Sequence, residues 1–192
     1  FRPREALGDR APLAEQVYVA PGNAGTDAEV GVENVDIAVS DIDKLLAFAH
    51  EKAVDLTIVG PEDPLVNGIV DRFSEAGLAC FGPSAAAAQL EGSKVFAKDF
   101  MQKHGIPTAA YGSFTEVEPA IRFIRETGAP VVVKADGLAA GKGVIIAETT
   151  TQAEAAVIDM LAGNAFGEAG HRVIIEEFLE GEEASFIVMA DG

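Results

Sequence analysis

Val131-Val132-Val133-Lys134-Ala135-Asp136-Gly137-Leu138-Ala139-Ala140-Gly141-Lys142-Gly143-Val144-Ile145-Ile146 sets two β-branched apolar runs on either side of a glycine-rich turn. Valine and isoleucine fit a pleated, half-buried surface, so each run reads as a strand. Strands joined this tightly pair antiparallel, because a parallel return needs a long crossover. The turn is not a Walker A loop, which needs four residues between its glycines, Ser or Thr after the lysine, and then a helix. Here three residues separate Gly137 from Gly141, Gly143 follows Lys142, and a strand comes next. Glycines let backbone N–H groups approach a polyphosphate closely, and ammonium groups neutralise it. Gly141-Lys142-Gly143 alone would read as a plain hairpin with a solvated lysine. Lys134 changes that reading, because a lysine following three valines on a strand is costly to bury without an anionic partner.

Downstream, Ile174-Ile175-Glu176-Glu177-Phe178-Leu179-Glu180-Gly181-Glu182-Glu183-Ala184-Ser185 carries an apolar strand into acidic residues and a turn. Such a strand end can offer C=O and N–H groups to an adenine edge, with Phe178 and Leu179 as apolar walls and a later carboxylate for ribose hydroxyls. Taken singly, these carboxylates read as solvated turn residues. A further strand is expected over residues 185–189. Helices are expected from Ser93 to His104, after Thr115 and Glu118 as a capping box and up to Gly128, and after Thr151 and Glu154 with Ala153, Ala156, Val157 and Met160 facing inward.

Upstream the rhythm differs. Apolar β-branched runs at residues 17–19, 35–39, 56–59 and 78–81 alternate with helical spacing. Ile42, Leu45, Leu46 and Ala49 form one helical face behind Ser40 as N-cap, and Leu65, Ile69, Val70 and Phe73 form a second face ending at Gly77. Residues 84–89 read as a helical connector. Strands alternating with helices imply a parallel sheet. The expected architecture is α/β: a small doubly wound parallel-sheet domain over residues 1–91, then an α+β domain over residues 92–192.

Composition narrows the function. The 192 residues are 48% apolar and carry a net charge of −17, which argues against a nucleic-acid surface. An acidic protein that binds an anion must concentrate its few lysines locally. No apolar run approaches the length of a membrane span. Residues 1–12 are too charged for a signal peptide. One cysteine, Cys80, excludes an internal disulfide and fits a reducing cytoplasm.

The order of lysine, flexible glycine loop and Glu-Glu-Phe-Leu strand end resembles the ATP-grasp fold, in which two α+β subdomains clasp a nucleotide. Six stretches are similar, in the same order, to the phosphoribosylamine–glycine ligase family: Ala20-Pro21-Gly22-Asn23-Ala24-Gly25-Thr26, Val59-Gly60-Pro61-Glu62-Asp63-Pro64-Leu65, Gln89-Leu90-Glu91-Gly92-Ser93-Lys94, residues 134–144, Ala162-Gly163-Asn164-Ala165-Phe166-Gly167, and residues 176–185. The resemblance runs over residues 17–192. It implies a Rossmann-like pre-ATP-grasp domain followed by an incomplete ATP-grasp domain. It also implies an ATP-dependent ligation of glycine to 5-phosphoribosylamine through glycyl phosphate, in a cytoplasmic purine-biosynthesis enzyme whose full-length form is a monomer.

By the same resemblance Lys94 and Lys134 would hold ATP phosphates, and residues 137–143, with Gly137, Gly141 and Gly143, would close over them, Lys142 being the catalytic lysine near the transferred phosphoryl group. Glu176, Glu177, Phe178 and Leu179 would meet adenine, and Glu183 the ribose. Gly22, Asn23, Gly25, Pro61, Glu62 and Asp63 would line the phosphoribosylamine pocket. The family opens with a strand and a glycine-rich loop before Gly-Arg-Glu-His-Ala, whereas this chain begins Phe1-Arg2-Pro3-Arg4-Glu5-Ala6-Leu7. An unfilled strand position in the first sheet is therefore expected. The family's magnesium (or manganese) ligands, a Glu and an Asn, would follow residue 192. As a front piece the chain is expected to bind nucleotide weakly or not at all, without turnover. The rival readings are an inactive fragment, or another ATP-grasp carboxylate–amine ligase or biotin-carboxylase-like enzyme. A nicotinamide-binding Rossmann domain is disfavoured, since no Gly-x-Gly-x-x-Gly follows a strand.

Overall fold

The computed structural model describes residues 14–137, 143–163 and 171–188. The chain divides into two compact units, Phe1–Gly92 and Ser93–Gly192.

The first unit alternates strands and helices: β1 (Val17–Val19), α1 (Ala24–Asp27), β2 (Val32–Asn34), α2 (Ile42–Glu51), β3 (Thr57–Ile58), α3 (Glu62–Val66), α4 (Ile69–Glu75), β4 (Cys80–Phe81) and α5 (Ala85–Gly92). Its strands are parallel, as the alternation predicts, but among the described residues they form two separate pairs, β1 with β2 and β3 with β4. The core joins Ala49, Ile69, Val70 and Phe73 with Ile42, Leu45, Leu46, Leu65 and Cys80.

Three local expectations are corrected here. The second strand lies at Val32–Asn34 rather than over 35–39, because Ile37 N–H turns back onto the Val35 carbonyl at 2.8 Å and ends the extended run. The N-cap of α2 is Asp41, not Ser40; its carboxylate accepts from Lys44 N–H. The face from Leu65 to Phe73 belongs to two helices, because Gly68 sits in the left-handed region at φ 83° and breaks the chain between α3 and α4.

The second unit contains α6 (Lys94–Lys103), β5 (Tyr111–Phe114), α7 (Val117–Thr127), β6 (Val131–Ala135), β7 (Val144–Ala147), α8 (Thr150–Leu161) and β8 (Val173–Glu177). Its sheet order is β5-β8-β6-β7, every neighbouring pair antiparallel. Side chains alternate across a strand. Val131, Val133, Ala135, Val173 and Ile175 therefore share one face, where Ala120 and Ile124 of α7 and Ala153, Ala156, Val157 and Met160 of α8 bury them. The opposite face carries Val132, Lys134, Ile174 and Glu176, set by the pairings Val132↔Glu176 and Lys134↔Ile174.

Two helix starts differ from expectation. Helix α7 begins after Glu116, which makes no side-chain cap, so the Thr115–Glu118 box is absent. Helix α8 is capped by Thr149 with Gln152 rather than by Thr151 with Glu154. The expected strand over 185–189 is also corrected: residues 185–188 have no regular structure, and Phe186 and Ile187 are 90% and 89% exposed. A strand needs a partner for its backbone N–H and C=O groups, and no described strand pairs with these residues.

Candidate functional site

The second face of the four-stranded sheet carries the charged cluster. Glu176, near the end of β8, is only 6% exposed, and two ammonium groups meet its Oε2: Lys134 Nζ at 2.9 Å and Lys98 Nζ at 3.0 Å. Lys134 thus has the anionic partner that its place after three valines demands. Lys98, from α6, is itself 7% exposed and also donates to Thr108 Oγ1 at 2.7 Å and to the Ala109 carbonyl at 3.3 Å. Its three N–H donors therefore have three acceptors. The ammonium also stands 5.6 Å from the centre of the Tyr111 ring, within cation–π range. Glu176 Oε1 has no protein partner among the described residues.

A second cluster ties the glycine turn to the start of α6. Ser93 is the N-cap, accepting from Phe96 N–H, and its hydroxyl donates to the Asp136 carboxylate at 3.2 Å. That carboxylate also accepts from Val95 N–H at 3.2 Å, so two side chains satisfy first-turn donors of the helix. Lys94, the first residue of α6, donates to the Gly137 carbonyl at 2.7 Å. Ala135 N–H donates to the Gly143 carbonyl at 2.8 Å and closes the base of the turn. The structure thus brings Lys94 to the turn and Lys134 to the strand end. Gly141 and Lys142 lie outside the described residues, as do Leu138, Ala139 and Ala140 and, from the 162–167 stretch, Asn164 to Gly167.

Among the residues expected at adenine, Glu177 N–H is committed to the Ala110 carbonyl at 2.9 Å, and its carboxylate accepts from Ala110 N–H. Strand β8 ends there. Phe178 is half-buried, Leu179 is 63% exposed, and Glu183 is exposed. In the first unit, Asn23 caps α1, its Oδ1 accepting from Gly25 N–H at 2.8 Å and from Thr26 N–H at 3.1 Å. Asn34, absent from the sequence-derived set, donates to the Asn23 carbonyl at 2.9 Å and accepts from Thr26 Oγ1 at 2.7 Å. Gly22 lies against this knot at φ 78°; a Cβ there would fall 2.2 Å from the Asn34 amide. Pro61 precedes α3, and Glu62 and Asp63 occupy its exposed first turn, Asp63 accepting from Asn67.

Lys98 and Asp136 also escaped the sequence-derived set. A signal for Lys98 was available: Lys94 and Lys98 stand at i and i+4, a like-charge pair that weakens a helix unless a carboxylate is near. Among the described residues no group of three or more His, Cys, Asp or Glu side chains could hold a metal ion.

The family model described as phosphoribosylglycinamide synthetase, ATP-grasp (A) domain, matches residues 92–192, and that of the N domain matches residues 6–91. The chain is 68% identical over 190 residues to a phosphoribosylamine–glycine ligase of Vibrio vulnificus, covering 97% of this chain and 44% of that protein. The Escherichia coli K12 protein of the same name is 68% identical over 183 residues, 95% of this chain and 43% of that one. The chain thus spans less than half the length of the curated relatives it matches. Among solved structures, phosphoribosylamine–glycine ligase from Thermotoga maritima has a TM-score of 0.69 at 32% identity, over 87% of this chain and 39% of that one. A biotin carboxylase–β,γ-ATP complex from Campylobacter jejuni has a TM-score of 0.61 at 26% identity, over 73% of this chain and 32% of that one. With both domain models matched in order and the ATP-grasp sheet in place, the chain belongs to the phosphoribosylglycinamide synthetase family.

Proposed function

We propose that this chain is the front part of an ATP-dependent ligase that joins glycine to 5-phosphoribosylamine, giving glycinamide ribonucleotide, ADP and phosphate. The observation that carries the reading is the Lys134–Glu176 pair, 2.9 Å apart on the sheet face opposite α7 and α8, with Lys134 partly exposed. A cation held there by a carboxylate, next to a strand end, suits a ligand with a polar flat edge and an anionic tail. In this reading Lys94, Lys134 and Lys142 neutralise the phosphates. Glu176, the carbonyl of Glu177 and the backbone of Leu179 take the adenine edge, Phe178 walls it, and Glu183 holds the ribose. Residues 137–143 close over the phosphates and exclude water from the acyl phosphate.

Glycine carboxylate attacks the γ-phosphorus, ADP leaves, and the amine of phosphoribosylamine then displaces phosphate from glycyl phosphate. The lysines offset charge building on the transferred group, which is the main task of a phosphoryl-transfer site. Gly22, Asn23, Gly25, Pro61, Glu62 and Asp63 are assigned to the phosphoribosylamine pocket. Magnesium, whose Glu and Asn ligands the resemblance sets after residue 192, would offset further charge on the transferred phosphoryl group.

The test is an amide-resolved NMR titration of the chain with ATP. Shifts confined to residues 132–135, 174–179 and the start of α6, lost in Lys134→Met, are expected. Shifts scattered elsewhere, or no binding at millimolar ATP by the longer protein that carries this sequence, would overturn the nucleotide assignment. For the protein that carries this sequence, ADP formation should require both glycine and phosphoribosylamine.

A further inference from the structure

A buried carboxylate with two lysines on one oxygen holds more positive charge than it needs. Lys98 and Lys134 both meet Glu176 Oε2, at 3.0 and 2.9 Å, but their surroundings differ. The Lys98 side chain is 8% exposed and fixed by Thr108 and Ala109; that of Lys134 is 26% exposed and reaches solvent. One lysine is locked in place and the other has room to move.

We propose that Lys98 is a positioning residue, the resident counter-charge of Glu176 that lets Lys134 leave this carboxylate for a phosphate of the bound nucleotide. The proposal rests on the nucleotide reading above. Were Lys134 the sole partner, drawing it to a phosphate would strand a buried carboxylate, and breaking a buried pair in that way is strongly unfavourable. With Lys98 in place the carboxylate keeps a cation on Oε2, 3.0 Å away, and Oε1 faces the ligand as an acceptor. Lys98 itself touches neither nucleotide nor reacting atoms.

Two measurements test this on the chain. The first compares ATP with adenosine. Lys98→Met should lower ATP affinity about tenfold or more and adenosine affinity by less than about threefold, because the penalty arises only when phosphate draws Lys134 away. Lys98→Arg, which keeps a cation at the carboxylate, should recover most of the loss. In Lys98→Met/Glu176→Gln the stranded charge is gone, so ATP should lose no more affinity than in Glu176→Gln alone. Equal losses for ATP and adenosine, or no loss, would leave Lys98 a purely structural tie and overturn the proposal.

The second needs no nucleotide: the rate at which an amine-reactive acylating reagent modifies Lys134, read by peptide mass spectrometry. In Lys98→Met, Lys134 becomes the only partner of Glu176 and should react more slowly than in the unaltered chain. A loosened site would make it react faster, which overturns the proposal even where Lys98→Met folds poorly. If neither this chain nor the longer protein that carries it binds ATP or adenosine, the nucleotide reading fails by itself, and the labelling rates still decide whether Lys98 shares the charge of Glu176.

Discussion

Tyr111 shows how a single hydroxyl records its surroundings. It donates a hydrogen bond to Asp99, and that bond, with a smaller contribution from burial, pushes the phenol from 10.0 up to about 12. The folded state therefore holds the phenolic proton more tightly than the unfolded chain does. The resulting stability is complete below pH 10 and is lost as pH rises through about 12. Urea midpoints of the unaltered chain should fall across that window relative to Tyr111→Phe, which lacks the titrating group; parallel profiles would count against the Asp99 bond. Gly22 gives a second test at this scale. Its positive φ and the Asn34 amide 2.2 Å from a built Cβ leave no room for a side chain. Gly22→Ala should break the Asn23–Thr26–Asn34 knot, seen as faster exchange of the Thr26 amide.

Helices α7 and α8 illustrate which parts of an element a sequence reveals. The inward face of α8 is legible from spacing alone: Ala153, Ala156, Val157 and Met160 are all buried. Its start is not, because Thr149, Thr150 and Thr151 are three successive residues able to cap. Thr149 serves because Gln152 then reaches back to the N–H groups of Glu148 and Thr149, while Glu154 is left to bind Arg125 of α7 at 2.8 Å. Thr149→Ala should cost about 1 kcal/mol in equilibrium unfolding. Ile124→Ala, which empties a fully buried position on α7 between the helices and the sheet, should cost about 2–5 kcal/mol. The same contrast holds for the site. Lys134 stands out because it breaks the apolar pattern of a strand, whereas Glu176, read singly as a solvated turn residue, is 6% exposed within β8. For Lys98 the i, i+4 spacing with Lys94 was the only hint, and its partner became visible once pairing brought β8 beside β6 and set Glu176 on the α6 side of the sheet.

Across the whole molecule, each unit has its own core, one built around Phe73 and the other around β6 and β8. Phe73→Ala should therefore lower amide protection in α2 and α4 while leaving that of β6 and β8 unchanged; a loss in both would show that the two cores melt together. The net charge of −17 gives the molecule a repulsive far field for any polyanion, against which the lysines act only at short range. The association rate of ATP should accordingly rise with added salt up to physiological ionic strength. The parallel pairing in the first unit and the antiparallel pairing of β6 with β7 follow from loop length. The division of the first unit's strands into two separate pairs does not, since the sequence alone gives no register for strands of two or three residues.

The two-sided sheet has a consequence for anyone who varies this protein one position at a time. Along β6, Val131, Val133 and Ala135 are buried on the face that packs against the helices, while Val132 and Lys134 look the other way. A saturation scan through these five residues should produce a sawtooth, with melting temperature dropping at odd numbers and nucleotide affinity at even ones. One short ribbon of chain would then give two interleaved records, one of how the domain holds together and one of what it holds.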